Sequence, residues 1–164
     1  NPCVVRFMPK GNDISVSVSG EECRYYCGAR AYFDGLYLKP ARGCEADVVR
    51  KTRNEFKRLY DKKAYAQARD KLQGIPVNCV KTINSMEMNW IRNDLALTQY
   101  KLNDFQGCLK TISHLEADAA KTDEEIRGEY PPSDADNYIR LISAVRTNLK
   151  LCREGARRSG QQVK

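Results

Sequence analysis

The sequence predicts a mainly α protein: an antiparallel stack of paired helices, preceded by a small β-hairpin and a disulfide-stapled aromatic connector. Three observations carry this reading. Tyr60, Tyr65, Ala68 and Leu72 recur forty residues later as Tyr100, Phe105, Cys108 and Ile112, and Asp61-Lys62-Lys63-Ala64 is answered by Lys101-Leu102-Asn103-Asp104. A helix-turn-helix unit used twice cannot bury its apolar stripe alone, so it stacks on its neighbours and leaves a groove or face for a partner. Near the start, Ile14, Val16 and Val18 alternate with Ser15, Ser17 and Ser19, the period of a strand with one buried face. Seven cysteines in 164 residues, with Cys23, Cys27 and Cys44 in one Tyr- and Gly-rich stretch, point to covalent staples.

Taken in order, Val4 to Met8 is a short apolar run, and Pro9 to Asp13 supplies turn residues before the alternating segment, which gives a hairpin. Two strands alone are marginal in water, so the hairpin must lean on other structure. Glu22 to Gly43 is an irregular connector rich in Tyr25, Tyr26, Tyr32, Phe33 and Tyr37, with Asp34-Gly35 as a turn signal. From Cys44 the period becomes helical: Val49, Thr52, Phe56, Leu59 and Tyr60 form a stripe, with Arg50, Lys51, Arg53, Lys57 and Arg58 elsewhere on the wheel. A shorter helix carries Tyr65, Ala68 and Leu72 and is stopped by Gly74 and Pro76.

A third helical stretch, about Asn78 to Leu102, has Val80, Ile83, Trp90, Leu95 and Thr98 on one side and a candidate break at Asn84-Ser85. Asn103 is the expected N-cap of a fourth helix bearing Phe105, Cys108, Leu109, Ile112 and Leu115. Thr122 with Glu125 reads as a capping box, and Ser133 with Asp136, after Pro131-Pro132, as a second that starts the last helix through Tyr138, Ile139, Ile142, Val145, Leu149 and Cys152. The expected organisation is therefore 1–43 for hairpin and connector, 44–152 for the helices and 153–164 for a frayed basic tail.

At Leu95, Ala96, Phe105, Cys108, Ile112 and Leu115, and at Phe56, Tyr65, Ala68 and Leu72, the chain resembles the tetratricopeptide-type repeat over about residues 45 to 117. In that family a small residue lets the two helices approach closely, three positions after an aromatic. Ala68 and Cys108 occupy the small position here, Tyr65 and Phe105 the aromatic one. The period is forty rather than roughly thirty-four, the extra residues falling after Leu72, and Phe56 stands where the first helix usually has a small residue. The resemblance implies partner binding and no chemistry of its own. The cysteine-rich aromatic stretch followed by helices in a small basic chain is also similar to exported bacterial proteins, which implies export.

A search for chemistry returns no catalytic constellation. The single histidine, His114, reads as a structural residue of the fourth helix; no Gly-rich phosphate loop or two-histidine metal motif occurs, and no cofactor is implied. Asn89-Trp90-Ile91-Arg92-Asn93-Asp94 is the most specific segment. Exposed on a groove, Trp90, Arg92 and Asp94 would form a binding hot spot; buried, Trp90 is a core anchor and Arg92 pairs with an acidic neighbour. Tyr25, Tyr26 and Phe33 are the second binding candidate, since amphipathic rings are favoured anchors.

Cysteine density favours disulfides and an oxidising compartment. The alternatives are a reduced chain with zinc on Cys3, Cys23, Cys27 and Cys44 and a reduced cytosolic chain without metal. The last helix, running antiparallel to the fourth, brings Cys152 to Cys108, and the second helix returning along the first brings Cys79 to Cys44. Cys3, Cys23 and Cys27 then supply one more bridge and one free thiol. The start at Asn1-Pro2-Cys3 without methionine fits removal of a signal peptide, and a trimmed cytosolic chain would begin the same way. No apolar run reaches the roughly 20 residues of a membrane span.

The net charge of +7 attracts acidic surfaces. Nucleic acid is disfavoured, because the basic residues are spread rather than grouped with exposed aromatics. The expected function is non-enzymatic: a periplasmic or secreted module binding another protein, acidic ones included, as an immunity or inhibitor protein or an envelope assembly factor. The alternatives are an accessory or fragment of an envelope-acting hydrolase, and a zinc-stabilised nucleic-acid binder.

Overall fold

A computed structural model describes residues 2–23, 25 and 33–160. The chain divides into two compact units, Asn1–Arg42 and Gly43–Lys164.

In the first unit, β1 (Val4–Lys10) and β2 (Asp13–Ser19) pair antiparallel, from Val4 opposite Ser19 to Lys10 opposite Asp13. The connection is the two-residue turn Gly11-Asn12, in which Gly11 takes φ 62°, a value costly for any residue with a Cβ. A third strand, β3 (Gly35–Tyr37), lies antiparallel on the other side of β2. The expected irregular connector therefore contains a strand, and Asp34 works there as a clasp rather than a turn former. Its Oδ1 accepts from the Val18 N–H at 2.6 Å, while Asp13 Oδ1 accepts from the Lys39 N–H at 2.9 Å, so two carboxylates pin the β3 segment to the ends of β2.

The Cys3–Cys23 bridge ties the start of β1 to the chain just beyond β2. Cys27, Tyr26 and Tyr32 lie outside the described residues. The alternation in β2 buries only Val16, at 7% exposure; Ile14 is open, as is Phe7, which pairs with Val16 and is 69% exposed, so the expected buried face is only partly formed.

The second unit is helical. Its first four principal helices repeat at forty residues to the end: α1 (Ala46–Asp61) and α2 (Tyr65–Leu72) correspond to α4 (Ser85–Lys101) and α5 (Phe105–Ile112). The turns match bond for bond. Lys63 and Asn103 take φ 59° and 60°. Ala64 N–H donates to Leu59 O and Asp104 N–H to Gln99 O, both at 2.9 Å. Tyr60 meets Tyr65 with ring centroids 5.2 Å apart, and Tyr100 meets Phe105 at 5.8 Å. Asn103 thus fills the left-handed turn position, which asparagine tolerates, and the N-cap is Asp104, whose carboxylate accepts from the Gly107 N–H at 2.9 Å.

The residues between the two pairs fold into the short α3 (Ile75–Asn78), anchored by buried Ile75 and by the Cys44–Cys79 disulfide. The third stretch is consequently not continuous from Asn78. Asn84 caps α4 by accepting from the Glu87 N–H at 2.8 Å, and Val80 is exposed rather than part of the stripe. After α5, a 3-10 turn (Ser113–Leu115) leads to α6 (Glu116–Ala120) and α7 (Asp123–Glu129). The Thr122–Glu125 capping box forms as expected, and hydrogen bonds from Thr122 hold the Glu125 carboxyl below its usual range.

The long α8 (Pro132–Arg158) closes the unit. It starts at Pro132, so Ser133 already lies inside the first turn and cannot cap; its hydroxyl goes to Asp134 instead of forming the expected box with Asp136. Nor does the helix stop at Cys152. Gly155 and Ala156 are buried, and the helix continues through Arg158 in place of a frayed tail.

Two apolar clusters hold the stack. One joins α1, α2 and α3 to Met88, Ile91 and Leu95 of α4; the other joins Ala96 of α4 and the α5 stripe to α7 and α8. Helix α4 is common to both, and it meets α8 through a buried amide pair in which Asn148 Nδ2 donates to Asn93 Oδ1 at 2.8 Å. Arg146 of α8 straps the α6–α7 corner by donating to Ala119 O at 3.0 Å and Asp123 Oδ1 at 2.9 Å. Ala68, at zero exposure, sits where α2 meets α1 and α4. Ala68→Leu is expected to overpack that contact and lower stability by about 1–3 kcal/mol, read as a fall in thermal midpoint.

Candidate functional site

Residues three or four apart on a helix share a face, and Glu87, Trp90, Asp94 and Leu97 form such a row on α4. Subtracting forty gives Asp47, Arg50, Asn54 and Lys57, the matching row on α1. Between the two helices lies a cavity of about 740 Å³ lined by Arg50, Arg53, Asn54, Lys57, Asp94 and Leu97, among others. Arg53 spans it, 3.5 Å from Asp94 Oδ2 and 3.7 Å from Glu87 Oε1. Burial pushes the Asp94 carboxyl up, and the Arg53 guanidinium opposes the rise. Burial likewise raises the Tyr60 hydroxyl at the same groove, with Tyr65 beside it. Arg50 and Lys57 are exposed and have no hydrogen-bonding or ion-pair partner among the described residues.

Trp90 lies on the other flank of the row. It is half-buried against the cluster of α5, α7 and α8 and lines a second cavity, of about 760 Å³, with Met86, Tyr130, Asp134, Asn137 and Arg140. Arg92 points elsewhere again. Its Nη1 is 3.2 Å from His114 Nε2, which is also 2.9 Å from Asn89 Oδ1. Arg92 therefore meets a histidine, not the acidic neighbour expected of it, and His114 sits in the 3-10 turn after α5 rather than on the helix. Burial, followed by the nearby Arg92 charge, lowers the His114 pKa.

The expected hot spot is thus divided: Asp94 serves the α1 groove, Trp90 the α8 cavity and Arg92 the His114 corner. Positions i, i+2 and i+4 of a helix cannot all share one face, and Arg92 is the residue displaced. Arg50, Asn54 and Lys57 are not among the sequence candidates, although the forty-residue shift from Asp94 and Leu97 locates Asn54 and Lys57. Tyr25 and Phe33 belong to the first unit, where Tyr25 is 87% exposed and Phe33 is also exposed; Tyr26 lies outside the described residues.

The zinc alternative fails on its ligands. Cys3, Cys23 and Cys44 are all in disulfides, with Cys23 and Cys79 as two of the partners' sulfurs. Among the described residues, no group of three or more His, Cys, Asp or Glu side chains is placed to hold a metal ion, and no helix is long and apolar enough to cross a membrane. Three disulfides, the third being Cys108–Cys152, suit an oxidising compartment. The chain matches no family model, no curated protein and no solved structure.

Proposed function

We propose that this chain is a non-enzymatic, exported protein-binding module, built as a tetratricopeptide-like stack that receives an acidic partner against the α1 and α4 face. One observation carries the reading: the repeated rows of α1 and α4 frame a groove whose exposed cations Arg50 and Lys57 have no partner among the described residues, beside the apolar side chain of Leu97. Two such cations beside an apolar floor, against Asp61, the single carboxylate of the same lining that is unpaired among the described residues, steer and orient an oppositely charged protein. The net charge of +7 and the three disulfides fit a periplasmic or secreted setting, and an immunity protein, an inhibitor or an envelope assembly factor is the role such a surface would serve.

The test is co-purification from the native source with wild-type chain and with the double variant Arg50→Glu/Lys57→Glu. The partner is expected to elute with wild type and to be lost from the variant, a weakening of about 2 kcal/mol or more, while circular dichroism of the variant stays native. Equal recovery by both chains removes this groove as the binding face.

A further inference from the structure

The cavity on the α8 side of α4 carries a different chemistry from the groove. Part of its lining is apolar and aromatic: Met86 and Trp90 from α4 and Tyr130 from the turn before α8, all half-buried. Tyr130 is steadied by Tyr138, with ring centroids 4.6 Å apart, and Tyr138 in turn donates its hydroxyl to Asp118. The rest is Ser85 at the start of α4 and a row on the first turns of α8, Asp134, Asn137 and Arg140, all exposed. Steps of three residues place successive members about 4.5 Å apart along the axis. The row therefore offers an acceptor, then an amide, then a donor. Arg140 donates to Asn137 Oδ1 and Asn137 Nδ2 donates to Ser133 O at 3.3 Å, which orders the pair and leaves the second amide N–H for a ligand.

We infer that this cavity binds a neutral saccharide, one or a few pyranose rings of a glycan. The C–H face of a sugar ring stacks on Trp90 and Tyr130, and its hydroxyls, each both donor and acceptor, pair with Asp134, Asn137 and Arg140. Other ligand classes fit less well. A cation meets Arg140 and an anion meets Asp134. An apolar ligand would desolvate three polar side chains without pairing them. The volume of about 760 Å³ lies in the ordinary range of small-molecule sites, roughly 300–1,000 Å³.

Trp90 is the only tryptophan in the chain, so its emission reports this cavity alone. Titration of the intact chain with chitotetraose, cellotetraose and maltotetraose up to millimolar concentration is expected to give, for at least one of them, a saturable change in Trp90 fluorescence. Asn137→Ala and Arg140→Ala, both exposed positions, are each expected to raise that Kd about tenfold with unchanged circular dichroism. No saturable change with any of the three sugars overturns the inference, as does an unchanged Kd in both variants. A Trp90 response to the protein captured through the α1 and α4 face, with none to sugars, assigns the cavity to that partner and also overturns it. The Arg50→Glu/Lys57→Glu chain should bind sugar as wild type does, so failure of the partner groove and failure of this site are read separately.

Discussion

Replacing Cys108 and Cys152 together by alanine is expected to lower the stability of the helical unit by about 4 kcal/mol, the chain-entropy value for a loop of this size. The bridge closes 44 residues between α5 and α8, and both cysteines are at zero exposure within the larger apolar cluster. Its removal therefore frees the unfolded chain and loosens the packed state at the same point. Chemical denaturation of both chains reads the effect as a fall in midpoint together with a steeper slope, because the unbridged unfolded chain exposes more surface. A loss below about 1 kcal/mol would mean that the helical contacts alone restrain the unfolded ensemble. The Cys44–Cys79 bridge, closing 35 residues, has almost the same entropic worth, but it fastens a loop and a short helix rather than two main helices.

That both of these bridges were legible from sequence follows from helix geometry. Once Phe105 to Ile112 and Tyr138 to Cys152 are read as antiparallel helices, Cys108 and Cys152 have little choice of partner. The forty-residue repetition was legible for a similar reason: it is written in side chains that pack, and packing fixes the turn as well as the helices, down to the shared left-handed residue at Lys63 and Asn103. Where several residues compete for one local role, the sequence was ambiguous. Asn103 and Asp104 are both good caps, and the winner was decided by Gly107, since a Cβ there would fall on the Asp104 carboxylate. Ser133 lost its capping role because Pro132 suits the first helical position. β3 was missed because Gly35-Leu36-Tyr37 is too short to show alternation, and its place comes from pairing with β2 and from the Asp13 and Asp34 clasps.

The site was legible as a region and not as a constellation. Trp90, Arg92 and Asp94 are near one another along the chain, but a helix turns by about 100° per residue, which sends Arg92 to another side of α4, while Trp90 and Asp94 share a face and line different cavities at its two edges. The residues that share those cavities come from α1, forty positions earlier, and from α8, forty or more positions later. For α1 the repeat itself contains the answer. For α8 it does not, because Asp134, Asn137 and Arg140 lie outside the repeated segment and reach Trp90 only through tertiary packing.

Phe105→Ala is expected to lower stability by about 3–5 kcal/mol, and the position that decides whether this account is right is Gly155. Phe105 is buried at the start of α5, and its ring lies over α8 where a Cβ on Gly155 would overlap it. Glycine inside a helix ordinarily costs roughly 0.5–1 kcal/mol relative to alanine, so its presence in the last turns of α8 needs a packing reason, and the ring supplies one. Gly155→Ala in the wild-type chain is therefore expected to destabilise, by about 1–3 kcal/mol of overpacking less the helical gain. In the Phe105→Ala background the obstacle is gone, and the same substitution should become neutral or stabilising by up to about 1 kcal/mol. The change of sign across a double-mutant cycle, measured by denaturation, is the result that separates a ring seated on a backbone from a glycine in a fraying helix end. If Gly155→Ala stabilises both backgrounds alike, the α5 and α8 contact is looser than the geometry describes, and Phe105→Ala should then cost less than about 2 kcal/mol.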